Sequence, residues 1–293
     1  MQCELIEQSC PPAQQGAEPV TRFREAVANG LPLGRIGNLV VRLARGADEI
    51  MLAQEVRYRV FHEEMGAMAS MADRADRRDA DLFDDICDHL LVIDTSLSGS
   101  PLQGVVGTYR LLRAEAASGG FYSSSEFELG SLVRRQSRHR FLELGRSCVL
   151  PEYRSKRTIE VLWQGIWAYV RHHGISVMAG CASFPGIWPA AHAQALSFLA
   201  HNCRTEPEWD VRALPHRYVS MDLMPAEAID TRAALAAMPP LVKGYLRLGA
   251  KVGDGCVVDR EFGTTDVFIV LPVETISPRY VAYYGADAQR FQA

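Results

Sequence analysis

ELGRSCVLPEYRSKRTIEVLW, residues 143–163, contains the end of a strand, a basic loop and the start of a helix. The strand pattern covers Phe141–Leu150 and ends at Pro151. The helix that follows has cations in its last turn and ends at Gly174. Its apolar side chains recur at helical spacing at Val161, Leu162, Ile166, Tyr169 and Val170. A strand, a short loop and a helix therefore follow one another directly.

Strand and helix patterns flank this segment on both sides. Upstream, an alternating strand starts at Leu39, and a helix with Asp48 as its N-cap follows it. The strands His89–Asp94 and Val105–Arg113, separated by a Ser/Gly/Pro turn, are typical of a hairpin. Downstream, the predicted elements are the strand Ile175–Ala182, a helix over 189–201, the strands Tyr218–Leu223 and Val267–Val273, and a short helix over Leu241–Leu248. This order predicts an α/β fold with a mixed central sheet flanked by helices.

The 293 residues divide into an N-terminal segment and one domain. Residues 1–37 are rich in Gln, Pro, Gly and Ala without a sustained hydrophobic period, so we predict a flexible tail or a loosely docked arm. Residues 38–285 carry the strand and helix patterns and are predicted to form a single domain. Such a domain can bury a core with a ligand tunnel, to which Trp163, Trp167 and Tyr169 are candidate contributors.

Composition excludes several classes of protein. Hydrophobic residues make up 48% of the chain and charged residues 23%, which excludes disorder throughout. No long apolar stretch or signal-peptide pattern is present, so we expect a cytoplasmic location. Seven cysteines at scattered spacings, without a C-x-x-C pair, indicate reduced thiols and no metal site. The net charge of -4 argues against nucleic acid as a partner.

The charges are unevenly distributed along the chain. Residues 134–157 contain eight Lys and Arg residues against two acidic residues. Residues 73–88 contain seven aspartates against three arginines. The first stretch suits an anionic partner and the second a cationic one, and the alternative is that both are solvated faces of opposite sign.

Short motifs that occur together in one family appear here in the family's order. They are R-x-x-x-F (Arg57, Phe61), D-x-x-D (Asp81, Asp84), the arginine of VVGTYRLL (Arg110) and E-x-x-R (Glu143, Arg146). With these motifs the chain resembles the autoinducer-synthase and long-chain N-acyl amino acid synthase branch of the GNAT superfamily. The phrases ELGRSCVLPEYR, GCASFPG and PPLVKGYLRLGA resemble the bacterial L-ornithine Nα-acyltransferases in particular. The resemblance covers about Val40 to Tyr284 and implies a GNAT-like fold.

The resemblance also implies an activity. It implies transfer of a (3-hydroxy)fatty acyl group from an acyl-carrier-protein thioester to the α-amine of L-ornithine, which gives a lyso-ornithine lipid. No cofactor is expected to be bound, because the 4'-phosphopantetheine thioester of the acyl carrier protein serves as co-substrate. The product is amphiphilic, so peripheral contact with the inner face of the cytoplasmic membrane is expected. The alternatives are an acyl-homoserine-lactone or N-acyl-tyrosine synthase, and a non-catalytic acyl-carrier-binding module.

The basic loop before the helix is the candidate site for the carrier. Unpaired backbone N–H groups and the helix dipole make such a junction an anion site, and GNAT enzymes hold the coenzyme A pyrophosphate there. The aligned positions carry large side chains, among them Ile159, which argues against a simple acetyl-CoA enzyme. Arg154, Lys156, Arg157 and Thr158 are therefore assigned to the phosphopantetheine arm and the acidic carrier surface. The alternative is a basic helix cap without a ligand.

Glu143 and Arg146 are the candidate catalytic residues. An amine nucleophile must lose a proton, and Glu143 is the candidate base, directly or through a water. The alternative is that Glu143 only pairs with Arg146. Strict alternation places these two side chains on opposite faces of the strand, so their pairing needs a β-bulge near Gly145. Such a bulge would also free a backbone N–H for the thioester oxygen.

The acceptor pocket is predicted from the loop aspartates and the neighbouring arginines. Asp81 or Asp84 could bind the side-chain ammonium of ornithine, or both could pair with Arg57 and Arg110 to build the loop itself. An arginine there could alternatively hold the acceptor carboxylate. Cys148 is placed near the substrate but is expected to be a core thiol, not a nucleophile.

Overall fold

A computed structural model describes residues 19–97 and 104–285 of the chain. The strands are β1 (Gly34–Ile36), β2 (Leu39–Leu43), β3 (Asp88–Asp94), β4 (Val105–Arg113), β5 (Phe141–Val149), β6 (Val177–Pro185), β7 (Lys251–Asp259) and β8 (Thr264–Pro272). The helices are α1 (Pro19–Ala28), α2 (Ala47–Tyr58), α3 (Met71–Asp76), α4 (Leu129–Arg135), α5 (Lys156–His173), α6 (Ala193–Asn202), α7 (Thr231–Ala237), α8 (Pro240–Arg247) and α9 (Pro278–Gly285). A π-helical segment, Arg59–Glu64, continues α2. Within these ranges, no helix has both the length and the apolar character needed to cross a bilayer.

The strands form one eight-stranded sheet in the order β1-β2-β3-β4-β5-β6-β8-β7. The pair β5–β6 is parallel, and the other neighbouring pairs are antiparallel. Parallel neighbours need a crossover connection, and α5 supplies it between β5 and β6. The predicted mixed sheet and the β3–β4 hairpin are both confirmed.

A β-bulge interrupts the β4–β5 pairing next to Gly145. Arg110 pairs with Gly145 and Thr108 pairs with Cys148, so one residue of β4 faces two residues of β5. Arg146 has a φ of +50°, a left-handed conformation that is uncommon for a residue with a side chain. A bulge is therefore present at the place where a Glu143–Arg146 pair would have required one, and it re-aims the Arg146 side chain.

The strands β5 and β6 pair only at their beginnings. Their register covers three residue pairs and ends at Glu143 with Ala179. Gly180 follows, and a Cβ at that position would lie 2.3 Å from the carbonyl oxygen of Leu144, so only glycine fits. Beyond this contact β6 continues its pairing with β8 to its end. The far half of β5 therefore has no strand partner on its β6 side.

The helix α5 is bounded as the sequence indicates. Ser155 is its N-cap, and Gly174 ends it in a left-handed conformation with a φ of +58°. Thr158 begins the buried face, which includes Trp163, Trp167 and Tyr169 as predicted. His173 does not add charge to the last turn, because burial lowers its pKa to about 3.

The segment predicted as a tail is ordered over part of its length. Residues 1–18 lie outside the described residues, but residues 19–37 include α1 and β1. Phe23 is buried and stacks on His172 of α5 with ring centroids 3.9 Å apart, and Leu33 is fully buried. Of the two alternatives for this segment, a flexible tail and a docked arm, residues 19–37 take the second, because Phe23, Ala26 and Leu33 are buried against the domain.

Three further element predictions differ from the structure. The helix α2 has Gly46 as its N-cap, and Asp48 lies in its first turn. Tyr218–Leu223 is not a strand, because Val219 forms only an isolated bridge to Cys256. The strand β7, which accepts that bridge, was not predicted. Its glycines and aspartates, KVGDGCVVD, hide the apolar alternation that signals a strand.

Candidate active site

Arg57 lies at the centre of a buried network of opposite charges. The α2 helix presents its guanidinium, which has no solvent exposure, to two aspartates of the following loop. The nitrogen-to-oxygen distances are 2.8 Å to Asp79 and 2.7 Å to Asp84. Gln54, one turn earlier on α2, donates to Asp84 at 2.9 Å. The loop is therefore fastened to α2 by contacts that water does not reach.

Arg110 of β4 and Arg146 of β5 complete this network. Arg110 Nη1 donates to Asp81 at 2.6 Å and to Asp84 at 3.0 Å. Arg146 lies 3.3 Å from Asp79 and donates to Asp81 at 3.2 Å. Three aspartates thus face three arginines. Of the two roles considered for Asp81 and Asp84, the observed contacts are those that build the loop.

The charges of this network hold its groups in their ionised forms. Burial alone would raise the pKa of Asp84, but the hydrogen bond and charge of Arg57 keep that pKa well below its usual range. Burial would likewise lower the pKa of Arg146, but Asp79, Tyr122 and Asp81 raise it. Each aspartate is already neutralised, so this loop offers little attraction to a further ammonium group.

Glu143 does not pair with Arg146. Its two carboxylate oxygens accept hydrogen bonds from the backbone N–H groups of Tyr122 at 2.7 Å and Ser123 at 2.8 Å. Its side chain is buried, and burial raises its pKa, although these two donors and the charge of Arg110 act in the opposite direction. A raised pKa suits a general base, and the two amide donors fix the carboxylate in place.

A small cavity touches the carboxylate of Glu143. Its volume is about 10 Å³, and it is lined by Cys87, Arg110, Leu112, Tyr122, Glu143 and Gly145. This volume is on the order of a single water and far below that of an amino acid. Substrate contact with Glu143 therefore has to pass through a water or requires the Tyr122–Ser125 turn to move. Arg110 also faces this space with a buried Nη2 atom that has no hydrogen-bond partner among the described residues.

Aromatic rings enclose the arginines beside this cavity. The Tyr122 hydroxyl accepts a hydrogen bond from Arg146 Nη1 at 3.1 Å. The Arg146 guanidinium lies 4.8 Å from the Tyr122 ring centre and 4.4 Å from that of Phe262. Phe61 packs edge-on against Phe262 at 5.7 Å, so it supports this wall from the π-helical segment.

Cys148 is part of the core. Its side chain is 5% exposed, and burial raises the pKa of its thiol to about 12. A thiol with such a pKa is protonated at neutral pH and is a poor nucleophile. The structure thus agrees with a packing role for Cys148.

The four residues assigned to the carrier differ in their surroundings. Arg154 forms a two-pronged pair with Glu64, with both distances 2.6 Å. Thr158 is buried; its backbone N–H donates to the side chain of the N-cap Ser155, and its hydroxyl donates to the carbonyl of Tyr153. Lys156 and Arg157 are exposed at the first turn of α5. Lys156 also lies 3.4 Å from Glu160, whereas no ion pair to Arg157 is found among the described residues; both exposed side chains are within reach of an incoming anion.

Several residues of the site were missed from the sequence. Tyr122 and Ser123 come from a 3₁₀ turn in a Ser-rich loop, and their main contribution is made by backbone N–H groups. Asp79 was counted only as part of the acidic stretch. A second acidic group, Glu126, Asp259 and Asp266, was also missed; their carboxylates lie close enough together to hold a cation.

Comparison with known proteins shows which family the chain belongs to. A model of the acetyltransferase (GNAT) domain matches residues 56–164. The L-ornithine N(alpha)-acyltransferase of Brucella abortus is 63% identical over 261 residues, which is 88% of this chain and 93% of that protein. The chain belongs to the L-ornithine Nα-acyltransferase family. The Rhizobium meliloti member is 62% identical over 89% of each chain. Among solved structures, FeeM, an N-acyl amino acid synthase from uncultured soil microbes, is similar with a TM-score of 0.47 and 9% identity, over 80% of this chain and 91% of FeeM.

Membership of this family confirms the resemblance drawn from the motifs and the α/β GNAT fold class. It also establishes that the chain is an N-acyltransferase. Five of the motif residues lie in one network: Arg57, Asp81, Asp84, Arg110 and Arg146. Of the other motif residues, Glu143 is bound by backbone N–H groups and Phe61 packs against Phe262.

Proposed function

We propose that this N-acyltransferase moves a (3-hydroxy)fatty acyl group from an acyl-carrier-protein thioester to the α-amine of L-ornithine, giving a lyso-ornithine lipid. The observation that carries the proposal is the 63% identity to an L-ornithine N(alpha)-acyltransferase over 93% of that protein's length. The buried charge network and the gap between β5 and β6 support this proposal, because they supply N–H donors and a free strand edge for a thioester.

The unpaired edge of β5 is the proposed place for the thioester. An extended pantetheine arm can hydrogen-bond to a free strand edge as an added strand does. The bulge at Arg146 and the partnerless Nη2 of Arg110 are close to that edge and offer N–H donors to the developing oxyanion.

The reaction proposed is a direct attack. The nitrogen lone pair of the ornithine α-amine forms the amide bond to the thioester carbonyl carbon. The carbon–sulfur bond then breaks, and the phosphopantetheine thiol leaves with a proton. Glu143 accepts the proton lost by the amine, through a water in the adjoining cavity, and returns it to the leaving thiolate. Atoms and charges balance without any further reagent.

The exposed Lys156 and Arg157 are the proposed contacts for the carrier. They lie at the N-terminus of α5, where the helix dipole also favours an anion such as the phosphate of the pantetheine arm. Exposed Met68, Met71 and Leu82 on the loop around α3 are candidates for contact with the membrane that receives the product. The proposed location is the cytoplasm, at the inner face of the cytoplasmic membrane.

The proposed function is tested with the purified full-length chain, a 3-hydroxyacyl-carrier thioester and a panel of acceptors. Mass spectrometry should detect the amide with L-ornithine, and much less with L-homoserine, S-adenosylmethionine or L-tyrosine. The same acyl chain presented as acyl-CoA should react more slowly. Absence of an ornithine amide, with product from another acceptor, would refute the proposal.

The base is tested by Glu143→Gln. We expect kcat to fall by about 10²-fold or more, because a carboxamide cannot accept the proton. The amide also disturbs one of the two backbone hydrogen bonds, so thermal unfolding must show that the variant remains folded. Glu152→Gln, an exposed position in the neighbouring loop, is the control. The base assignment fails if folded Glu143→Gln keeps the wild-type rate and pH profile.

A further inference from the structure

A second acidic group lies beside the charge network and takes no part in it. It consists of Glu126, which follows the Tyr122–Ser125 turn, Asp259 at the end of β7, and Asp266 on β8. One carboxylate oxygen from each lies within 4.8 Å of the others. We call these three residues the acidic trio.

The acidic trio is short of positive charge. Arg217 pairs with Glu126 at 3.0 Å, and no other ion pair to the trio is found among the described residues. Glu126 and Asp266 are 5% and 6% exposed, so water screens their repulsion poorly. Burial, followed by the charge of Asp266, raises the pKa of Glu126 to about 7. Burial and then the charge of Asp259 raise the pKa of Asp266 to about 6.

Two buried polar atoms at the trio have no partner of normal hydrogen-bond geometry among residues 19–97 and 104–285. They are Oδ1 of Asp266 and Oγ1 of Thr264, and both side chains are more than nine-tenths buried. Hydrogen bonding from the Ser183 and Thr264 side chains acts to lower the pKa of Asp266, but it does not satisfy Oδ1 with normal geometry. Buried polar atoms are ordinarily satisfied, so an unsatisfied carboxylate oxygen beside uncompensated negative charge points to a missing donor. Ser183 on β6, which pairs with Asp266 in the sheet, is exposed, so the trio lies close to the surface.

The trio is also connected to the proposed reaction centre. The Cys181 thiol lies 3.4 Å from Glu126 Oε2 and 3.2 Å from the Ser123 hydroxyl. Ser123 in turn donates its backbone N–H to Glu143 at 2.8 Å. The trio and Glu143 are thus separated by only two residues, Ser123 and Cys181.

We propose that the acidic trio binds the side-chain ammonium of the amino-acid acceptor and so selects an acceptor with a second amine. The inference rests on the proposed function, in which ornithine is the acceptor. It differs from the assignment of Asp81 and Asp84 to this task, since those residues are neutralised by arginines. Selection arises because an acceptor without the second amine leaves the trio buried and uncompensated.

The geometry suits an ammonium group. An ammonium donates along tetrahedral directions, and acceptors at about 2.8 Å from its nitrogen lie roughly 4.6 Å from one another. In extended ornithine the two amine nitrogens are separated by five single bonds, or about 6 Å, a span suited to crossing one layer of side chains. The α-amine then lies on the Glu143 side of Ser123 while the second amine reaches the trio.

The test compares L-ornithine with L-norvaline, which has the same carbon chain without the second amine. In the wild-type enzyme kcat/KM should be at least about 10²-fold higher for ornithine. Asp266→Asn should reduce this ratio to within about tenfold, mainly through a higher KM for ornithine. Because the ratio is measured on one protein, a partly unfolded variant does not mimic the effect. Glu261→Gln, an exposed carboxylate two residues from Asp259, is the matched control and should keep the wild-type ratio.

The outcomes separate the inference from the function on which it rests. If the wild type does not acylate ornithine, the proposed function fails. If it does, and Asp266→Asn keeps the wild-type preference over norvaline, the trio is not the ammonium site and the inference is overturned. Activity that is lost with EDTA and restored by Mg²⁺ or Mn²⁺, with wild-type KM for ornithine in Asp266→Asn, would assign the trio to a metal ion and equally overturn it.

Discussion

Two groups of three carboxylates lie near the same reaction centre, yet they differ in how their charge is balanced. Asp79, Asp81 and Asp84 face the three guanidinium groups of the neighbouring helix and strands. Within the described part of the chain, the acidic trio of Glu126, Asp259 and Asp266 has a single ion-pair partner, Arg217. The negative charge of the first group is balanced without a ligand, and that of the second group is not. A buried charge that the protein leaves uncompensated is therefore a better indicator of a cationic ligand than a high density of acidic residues.

The two groups also differ in role: the loop aspartates stabilise the fold, whereas the trio is proposed to bind the acceptor. The loop aspartates stabilise the folded chain, because each has a partner at hydrogen-bond distance. Glu126 and Asp266 of the trio have raised pKa values and Asp266 has an unsatisfied oxygen, so the trio costs the empty enzyme stability that a bound cation would restore. Opposite effects on stability are expected when the two groups are altered.

The largest effect is expected at Arg57. Arg57→Ala removes the shared partner of Asp79 and Asp84 and leaves both buried and under-compensated. We expect the free energy of unfolding to fall by about 3 to 5 kcal/mol. Urea denaturation monitored by circular dichroism measures this change in the free energy of unfolding.

The control for that experiment comes from the same acidic region. Arg77→Ala removes an ion pair to Glu63 from a side chain that is 67% exposed, so the loss should be below about 1 kcal/mol. Equal losses in the two variants would show that the loop network does not fasten the fold.

A smaller effect of opposite sign is expected at Asp266. Asp266→Asn removes a buried charge whose pKa is raised, so the ligand-free enzyme should gain about 1 to 2 kcal/mol at pH 8. The gain should shrink as the pH falls from about 6 towards 4, because the carboxyl is then protonated in both folded and unfolded chains. Urea denaturation at several pH values checks this.

Asp254→Asn is the contrasting variant for the trio. Asp254 pairs with Arg204 at 2.8 Å and is balanced, so its replacement should destabilise the chain. Destabilisation by Asp266→Asn at pH 8, of the size seen with Asp254→Asn, would contradict the view that the trio is short of positive charge.

The smallest effect is expected in the pH dependence of acceptor binding. Glu126 and Asp266, with pKa values of about 7 and 6, lose their charges as the pH falls from 8 to 6. The groups that face them are Asp259, Arg217, Cys181, Ser183 and Thr264. The KM for ornithine should therefore rise roughly tenfold over this range, while that for norvaline changes little.

Steady-state kinetics with saturating acyl donor give the KM values for ornithine and for norvaline at each pH. A parallel rise for norvaline would trace the pH effect to the shared α-amine and not to the trio.

The charge network could be predicted from the sequence to a large extent. One of the two alternatives drawn from the motifs was that the loop aspartates Asp81 and Asp84 pair with Arg57 and Arg110. The structure shows these pairs. Side-chain alternation in ELGR indicated a bulge only as the condition for a Glu143–Arg146 pair; the bulge is present and the pair is not. The ordered motifs named the members of the network, although they come from separate elements of the chain.

The acidic trio could not be predicted in the same way. Its members are separated by more than 130 residues at the extreme and converge only because β8 lies between β6 and β7. A signal was present at Asp266, an aspartate in TTDVFIVLP, but the predicted strand began at Val267 and left it out. A charged residue inside a buried strand is uncommon and would have marked the position.

The sequence by itself determined the alternation of strands and helices, the caps of α5, the core position of Cys148 and the family, because these depend on neighbouring residues and ordered motifs. Only the tertiary structure decided which carboxylates are neutralised, that Glu143 is held by two backbone N–H groups, and that the bulge forms without a Glu143–Arg146 pair. The physical reason is that charge balance and pKa depend on burial and on distances between groups far apart in the chain.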